Sequence, residues 1–124
     1  MGFLIVFVGG GLGAALRHGV NLAMARLLGT GFPFATLFEN VSGSLMMGLL
    51  AGYFAFRGGP TQHWQLFLTT GILGGYTTFS AFSLDAALLY ERGALGMAAL
   101  YALVSVVLAV GGLFAGLWIV RSLT

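Results

Sequence analysis

The stretch Gly71-Ile-Leu-Gly-Gly-Tyr-Thr-Thr-Phe-Ser-Ala-Phe82 brings paired glycines, hydroxyls and two aromatic rings together inside an apolar segment. Adjacent glycines followed by Thr77 and Thr78 hold a regular helix poorly, because glycine loses most backbone freedom on ordering and threonine is stiff at χ1. At mid-membrane depth, non-helical backbone is tolerated only where it is buried in protein or lines a cavity. Freed carbonyls there could coordinate a hard cation such as Na⁺, and freed N–H groups could face an anion. Phe79 and Phe82 are three apart, so beyond such a break they share one helix face. Aromatic rings carry a positive edge that a small anion can approach. An isolated pair would read as two core phenylalanines; beside a glycine break, Ser80 and Ser83, an anion-lining pair is an equal alternative.

A second polar group lies in the segment before it, where Glu39 and Asn40 precede Ser42, Gly43 and Ser44. Asn40 and Ser44 share a helix face. Buried polar groups in a span face the bundle interior and often mark a transport path, although an asparagine can also serve only to join helices. Arg17, in the first apolar segment, is costly in lipid and must pair with an acid or line a vestibule. Tyr101 and Ser105 stand one turn apart in the last segment.

Other chemistries find no support. His18 and His63 have no second ligand at a metal-like spacing, and there is no cysteine for disulfides, thiolate catalysis or thiolate metal sites. The run Phe3-Leu-Ile-Val-Phe-Val-Gly-Gly-Gly-Leu-Gly-Ala-Ala imitates a dinucleotide turn, but the first acid in the chain is Glu39 and helical spans follow in place of strands. Asn40-Val-Ser42 matches a glycosylation acceptor but falls inside a span.

The elements that position these residues follow from composition. Of 124 residues, 59% are hydrophobic and 6% charged, and the mean hydropathy is +1.01. Soluble domains carry about 25% charged residues, so the solvent here is lipid. The net charge of +2 arises from five arginines against three acids; scarcity of charge, with no basic patch, excludes nucleic acid as a partner. No basic residue precedes the first apolar run, so it is expected to be mature structure and not a secretory leader. A spanning helix needs about 20 mostly apolar residues. Four segments qualify, at about residues 3–25, 34–56, 64–90 and 94–120, which predicts a single four-helix transmembrane domain over residues 1–124. Turn-forming breaks over residues 26–33, 57–62 and 91–93 separate them.

Each segment holds a pair of glycines four apart: Gly9/Gly13, Gly48/Gly52, Gly71/Gly75 and Gly112/Gly116. In lipid such pairs permit close helix packing. Arginines near helix ends set the inside face; here Arg57 and Arg121 fall on one side and Arg26 and Arg92 on the other. Either so few charges carry no signal, or the protein inserts both ways and opposed copies pair as an antiparallel dimer.

Gly10-Gly-Leu-Gly-Ala-Ala-Leu-Arg17, Thr36-Leu-Phe-Glu-Asn-Val-Ser-Gly-Ser44 and Gly74-Gly-Tyr-Thr-Thr-Phe-Ser-Ala-Phe-Ser83, in this order and with Tyr101 and Ser105, resemble the Fluc family of fluoride channels, also called CrcB. The resemblance covers all four spans. It implies an all-α, dual-topology antiparallel homodimer with a broken third helix, in the cell inner membrane, that passively exports fluoride from the cytoplasm and is not an enzyme. It further implies that Phe79 and Phe82 line the pore, with Tyr101 near them. Asn40 would lie beside the fluoride path, and Ser80 and Ser105 in a hydroxyl track. Arg17 would sit at the vestibule, and the backbone carbonyls of Gly74 and Thr77 from both subunits would hold a structural Na⁺. Three positions depart from the family pattern. Glu39 replaces a small or apolar residue, Ala81 replaces a common threonine, and Asp85 stands where glutamate is usual. An ionised Glu39 would repel an anion, so it must face away, pair with an arginine or carry a proton.

A small dual-topology, proton-coupled exporter of organic cations shares the size and the balanced arginines, but such carriers place their key acid in the first span, where this chain has none. A structural subunit without transport would explain the glycines and leave Asn40 and the third span unexplained.

Overall fold

The computed structural model describes residues 1–57 and 62–123. Among these the chain is all helical, and four stretches are long and apolar enough to cross a membrane: Gly2–Leu28, Phe34–Ala55, Gln62–Glu91 and Leu95–Leu123. The predicted turn over residues 57–62 falls mainly on residues 58–61, outside the described part. Helix α1 is Gly2–Leu28 and α2 is Phe34–Arg57. The third stretch is composite: α3 (Gln62–Gln65), a π-helical segment (Leu66–Leu73), α4 (Gly74–Tyr76) and α5 (Phe79–Glu91). Helix α6, Leu95–Leu123, closes the bundle.

Glycine decides which helices meet. Helix α2 packs most extensively on α6, and α1 on the π segment and α4. A Cβ on Gly9 would stand 2.8 Å from the Phe67 carbonyl oxygen and 2.9 Å from the Gly71 Cα. One on Gly13 would collide with the Ile72 carbonyl, and one on Gly75 with that of Gly10. Across the second interface, Gly48 abuts the Leu113 carbonyl and Gly116 lies against the backbone of Leu45, Gly48 and Leu49. Backbone-to-backbone approach of this kind is how helices gain packing energy in lipid. Gly48→Ala is therefore expected to cost about 1–3 kcal/mol through overpacking. Gly111→Ala, with nothing within 4 Å of its would-be Cβ, should be neutral. Thermal unfolding in detergent compares the two; equal midpoints would mean that α2 and α6 do not approach closely at Gly48.

Short loops complete the bundle. Gly93 adopts φ 82°, a left-handed conformation that glycine takes without strain, and turns the chain from α5 into α6. Before that turn, Arg92 donates from Nη2 to the Gly31 carbonyl at 2.9 Å, tying the α5–α6 corner to the α1–α2 loop. The outward faces are apolar: Phe3, Phe7, Leu103, Phe114 and Trp118 are all exposed. An apolar surface this continuous must be covered by lipid or another protein.

Candidate functional site

The helical hydrogen-bond ladder is interrupted after Tyr76. Thr77 (φ −87°, ψ 156°) and Thr78 (φ −154°, ψ 124°) are both extended. Thr77 is held by two bonds to one carbonyl, its N–H to Leu73 O at 3.0 Å and its hydroxyl to the same oxygen at 2.9 Å. Thr78 restarts the helix as the N-cap of α5, its Oγ1 accepting from the Ala81 N–H at 3.1 Å. That oxygen also lies 3.2 Å from Ser80 Oγ.

The backbone freed by the extended residues is met from α2. Asn40 Oδ1 accepts from the Thr78 N–H at 2.8 Å, and Asn40 Nδ2 donates to the Thr78 carbonyl at 3.0 Å. This two-point bond fixes the orientation of the amide, since the Thr78 N–H needs an acceptor and its carbonyl a donor. It also redirects two donors. In a continuous helix the Thr78 N–H would bond the Gly74 carbonyl, and the Ala81 N–H that of Thr77. Both donors are engaged elsewhere, so the Gly74 and Thr77 carbonyls lack their helical partners and offer oxygen lone pairs at this depth. Oxygen-only ligands suit a hard cation. No cluster of three or more His, Cys, Asp or Glu that could hold a metal occurs among the described residues.

Next to the extended pair is a cavity of about 300 Å³ lined by Asn40, Ser44, Thr78, Phe79, Phe82 and Ser105, among others. The Phe79 and Phe82 rings are 5.6 Å apart and tilted by 42°. Ser105 is 5% exposed, and its hydroxyl has no hydrogen-bond partner among the described residues. In a helix, serine usually bonds back to the carbonyl four residues earlier, so an unengaged hydroxyl beside the cavity is a donor in reserve. Asn40 retains one N–H beyond its bond to Thr78. Phe79 is 78% exposed, leaving this side of the cavity uncovered within one chain.

A second cavity, of about 340 Å³, is lined by Asn21, Thr36, Asp85 and Arg92 together with residues 29–35 of the α1–α2 loop and the start of α2. Tyr101, fully buried, lies between the two. Its ring is 5.2 Å from Phe82 of the first cavity and 5.6 Å from Phe32 of the second, and its hydroxyl donates to Asp85 Oδ2 at 3.2 Å.

The structure thus brings together Asn40, Phe79, Phe82 and Ser105, with Tyr101 behind them. Ser80 lies outside the cavity, exposed and beside Thr78. Arg17 reaches from α1 to α4, donating from Nε to the Gly75 carbonyl at 3.1 Å. Two contributors were not singled out from the sequence: Tyr76, whose hydroxyl is 3.0 Å from Ser42 Oγ, and Thr36 at the second cavity; Thr78 was read only as part of the break, not as the cap of α5 or the partner of Asn40. Asp85 was noted as standing where glutamate is usual, but no local pattern tied it to Tyr101, 16 residues away.

Residues 4–117 match the family model described as CrcB-like protein, Camphor Resistance (CrcB). The chain is 69% identical, over its full length and that of the relative, to a protein of Rhodopseudomonas palustris (strain BisB5) named fluoride-specific ion channel FluC. It is equally 69% identical, again over the whole of both chains, to fluoride-specific ion channel FluC 2 of Nitrobacter hamburgensis. A protein of Granulibacter bethesdensis with the FluC name shares 56% identity over 99% of this chain and 97% of its own length.

Proposed function

Since the chain belongs to the CrcB-like family, we propose that it is a fluoride-selective ion channel of the cell inner membrane that lets fluoride leave the cytoplasm passively, without catalysing a reaction. The observation that carries this reading is the convergence of Phe79, Phe82, Asn40 and the unengaged Ser105 hydroxyl on one cavity.

Fluoride is small and tightly hydrated, so a pore must replace its water with closely spaced donors. The Ser105 hydroxyl and the spare N–H of Asn40 are such donors, and the ring edges of Phe79 and Phe82 supply positive potential without a fixed charge. A formal positive charge would bind the ion too tightly to release it, whereas ring edges and neutral donors let it move on. Larger halides fit this constriction less well. Weakly acidic HF crosses lipid unaided and dissociates inside, so a passive leak for the anion suffices, driven by the membrane potential. Arg17 would belong to the vestibule and Ser80 to the hydroxyl track that continues the path, while Tyr101 backs the rings.

The assembly in this proposal is an antiparallel, dual-topology homodimer of four-helix subunits, each with its third helix broken at Thr77–Thr78. Two features support it: arginines balanced on the two membrane faces, and a Phe79 ring left uncovered in one chain. A structural Na⁺ fits the Gly74 and Thr77 carbonyls, which have lost their helical donors; a second copy would double the oxygen set. Bound there, the ion would neutralise carbonyl dipoles at the centre of the dimer.

The test is reconstitution of the purified protein in liposomes loaded with fluoride, with efflux read by a fluoride electrode. Rapid uncoupled efflux that excludes chloride is expected. Proton-driven uptake of an organic cation without fluoride efflux would replace the proposal by the exporter.

A further inference from the structure

Glu39 is a buried acid that the fluoride path does not use, and its surroundings are unusual. It is 1% exposed, and neither carboxyl oxygen has a hydrogen-bond partner among the described residues. On α2, Thr36 lines the 340 Å³ cavity and Asn40 the 300 Å³ cavity, with Glu39 between them. From the other elements, the charged groups acting on Glu39 are Arg17 of α1 and Asp85 of α5, of opposite sign. Arg17 is engaged with the Gly75 carbonyl, and Asp85 with Tyr101 of α6. Tyr76 of α4 is bonded to Ser42; the π segment contributes no titratable group. An ionised carboxylate taken out of water without a partner is far more costly than a neutral acid.

We infer that the Glu39 carboxyl is a proton-binding site beside the anion path, neutral while fluoride passes and repelling it once the proton is lost. The inference rests on the proposed channel function. No bond other than O–H is made or broken: the proton is given up to water and taken back from it. The neutral acid adds no charge at the partition, whereas the carboxylate sets a negative charge between the two cavities.

Two readouts test it, using the wild type and Glu39→Gln, which keeps the shape and is permanently neutral. In liposomes at equal inside and outside pH, taken from about 5.5 to about 8.5 to cover the range reached by buried glutamates, protein-free vesicles give the HF background. Wild-type efflux is expected to fall at least about tenfold as pH rises, equivalent to about 1.4 kcal/mol of added barrier. Glu39→Gln should stay flat near the acid-limit rate. In the purified protein, infrared spectroscopy at neutral pH should show a protonated-carboxyl band that Glu39→Gln lacks. A flat wild-type profile, a shared pH profile in both proteins, or absence of that band would overturn the inference. The band present with no fluoride efflux at any pH would keep the proton site and remove the channel function instead.

Discussion

Replacing Phe82 with isoleucine is expected to slow fluoride efflux about 100-fold, a loss of about 2.7 kcal/mol in the barrier, with little change in stability. The Phe82 ring touches both Phe79 and Tyr101 and lines the cavity that also holds Asn40 and Ser105. Isoleucine fills much of the same space, and hydrophobic swaps of similar volume usually cost less than about 1.5 kcal/mol. What it lacks is the positive ring edge. Efflux should therefore collapse while elution in gel filtration and the unfolding midpoint stay close to wild type. Undiminished efflux from a well-folded Phe82→Ile protein would remove the aromatic pair from the mechanism.

Asn40 should show a different pattern because it has two tasks. Its amide satisfies both backbone groups of Thr78, and leaving a buried group unpaired costs about 1–3 kcal/mol each. Asn40→Leu is expected to lose roughly 2–5 kcal/mol of stability and to abolish transport. Asn40→Asp separates the tasks. The carboxylate still accepts from the Thr78 N–H, but it cannot donate, and it places a negative charge at the cavity. A protein that folds better than Asn40→Leu yet conducts fluoride no faster than empty vesicles is the expected result. Wild-type efflux from Asn40→Asp would mean that Asn40 serves only to join α2 to the third span.

These contrasts show where the sequence was readable. Long apolar runs with short breaks announce four membrane helices, because hydrocarbon demands about 20 apolar residues per crossing. Polar residues inside such runs stand out for the same reason, so Asn40, Arg17 and Ser105 could be picked out one by one. Their partners could not. A glycine pair occurs in every span, so spacing alone cannot tell that Gly48 meets the Leu113 carbonyl while Gly13 meets that of Ile72. The bond between Asn40 and Thr78 joins residues 38 apart in the chain, and no local periodicity encodes it. One signal was available: a segment with poor helix formers frees backbone groups, and an asparagine on a neighbouring span has both a donor and an acceptor to offer. Glu39 was legible as an anomaly, with three outcomes open. The structure buries it without a hydrogen-bond partner among the described residues, which sets aside the outcome in which it faces away from the protein.

Selective passive conduction is tested most directly by current through a planar bilayer containing the purified protein, with unequal fluoride on the two sides, an opposed chloride gradient and equal pH. The expected result is a steady current that reverses near the equilibrium potential of fluoride and is unaffected by chloride concentration. Reversal near the chloride or proton potential, or silence from protein that is folded and inserted, would contradict a fluoride-selective channel.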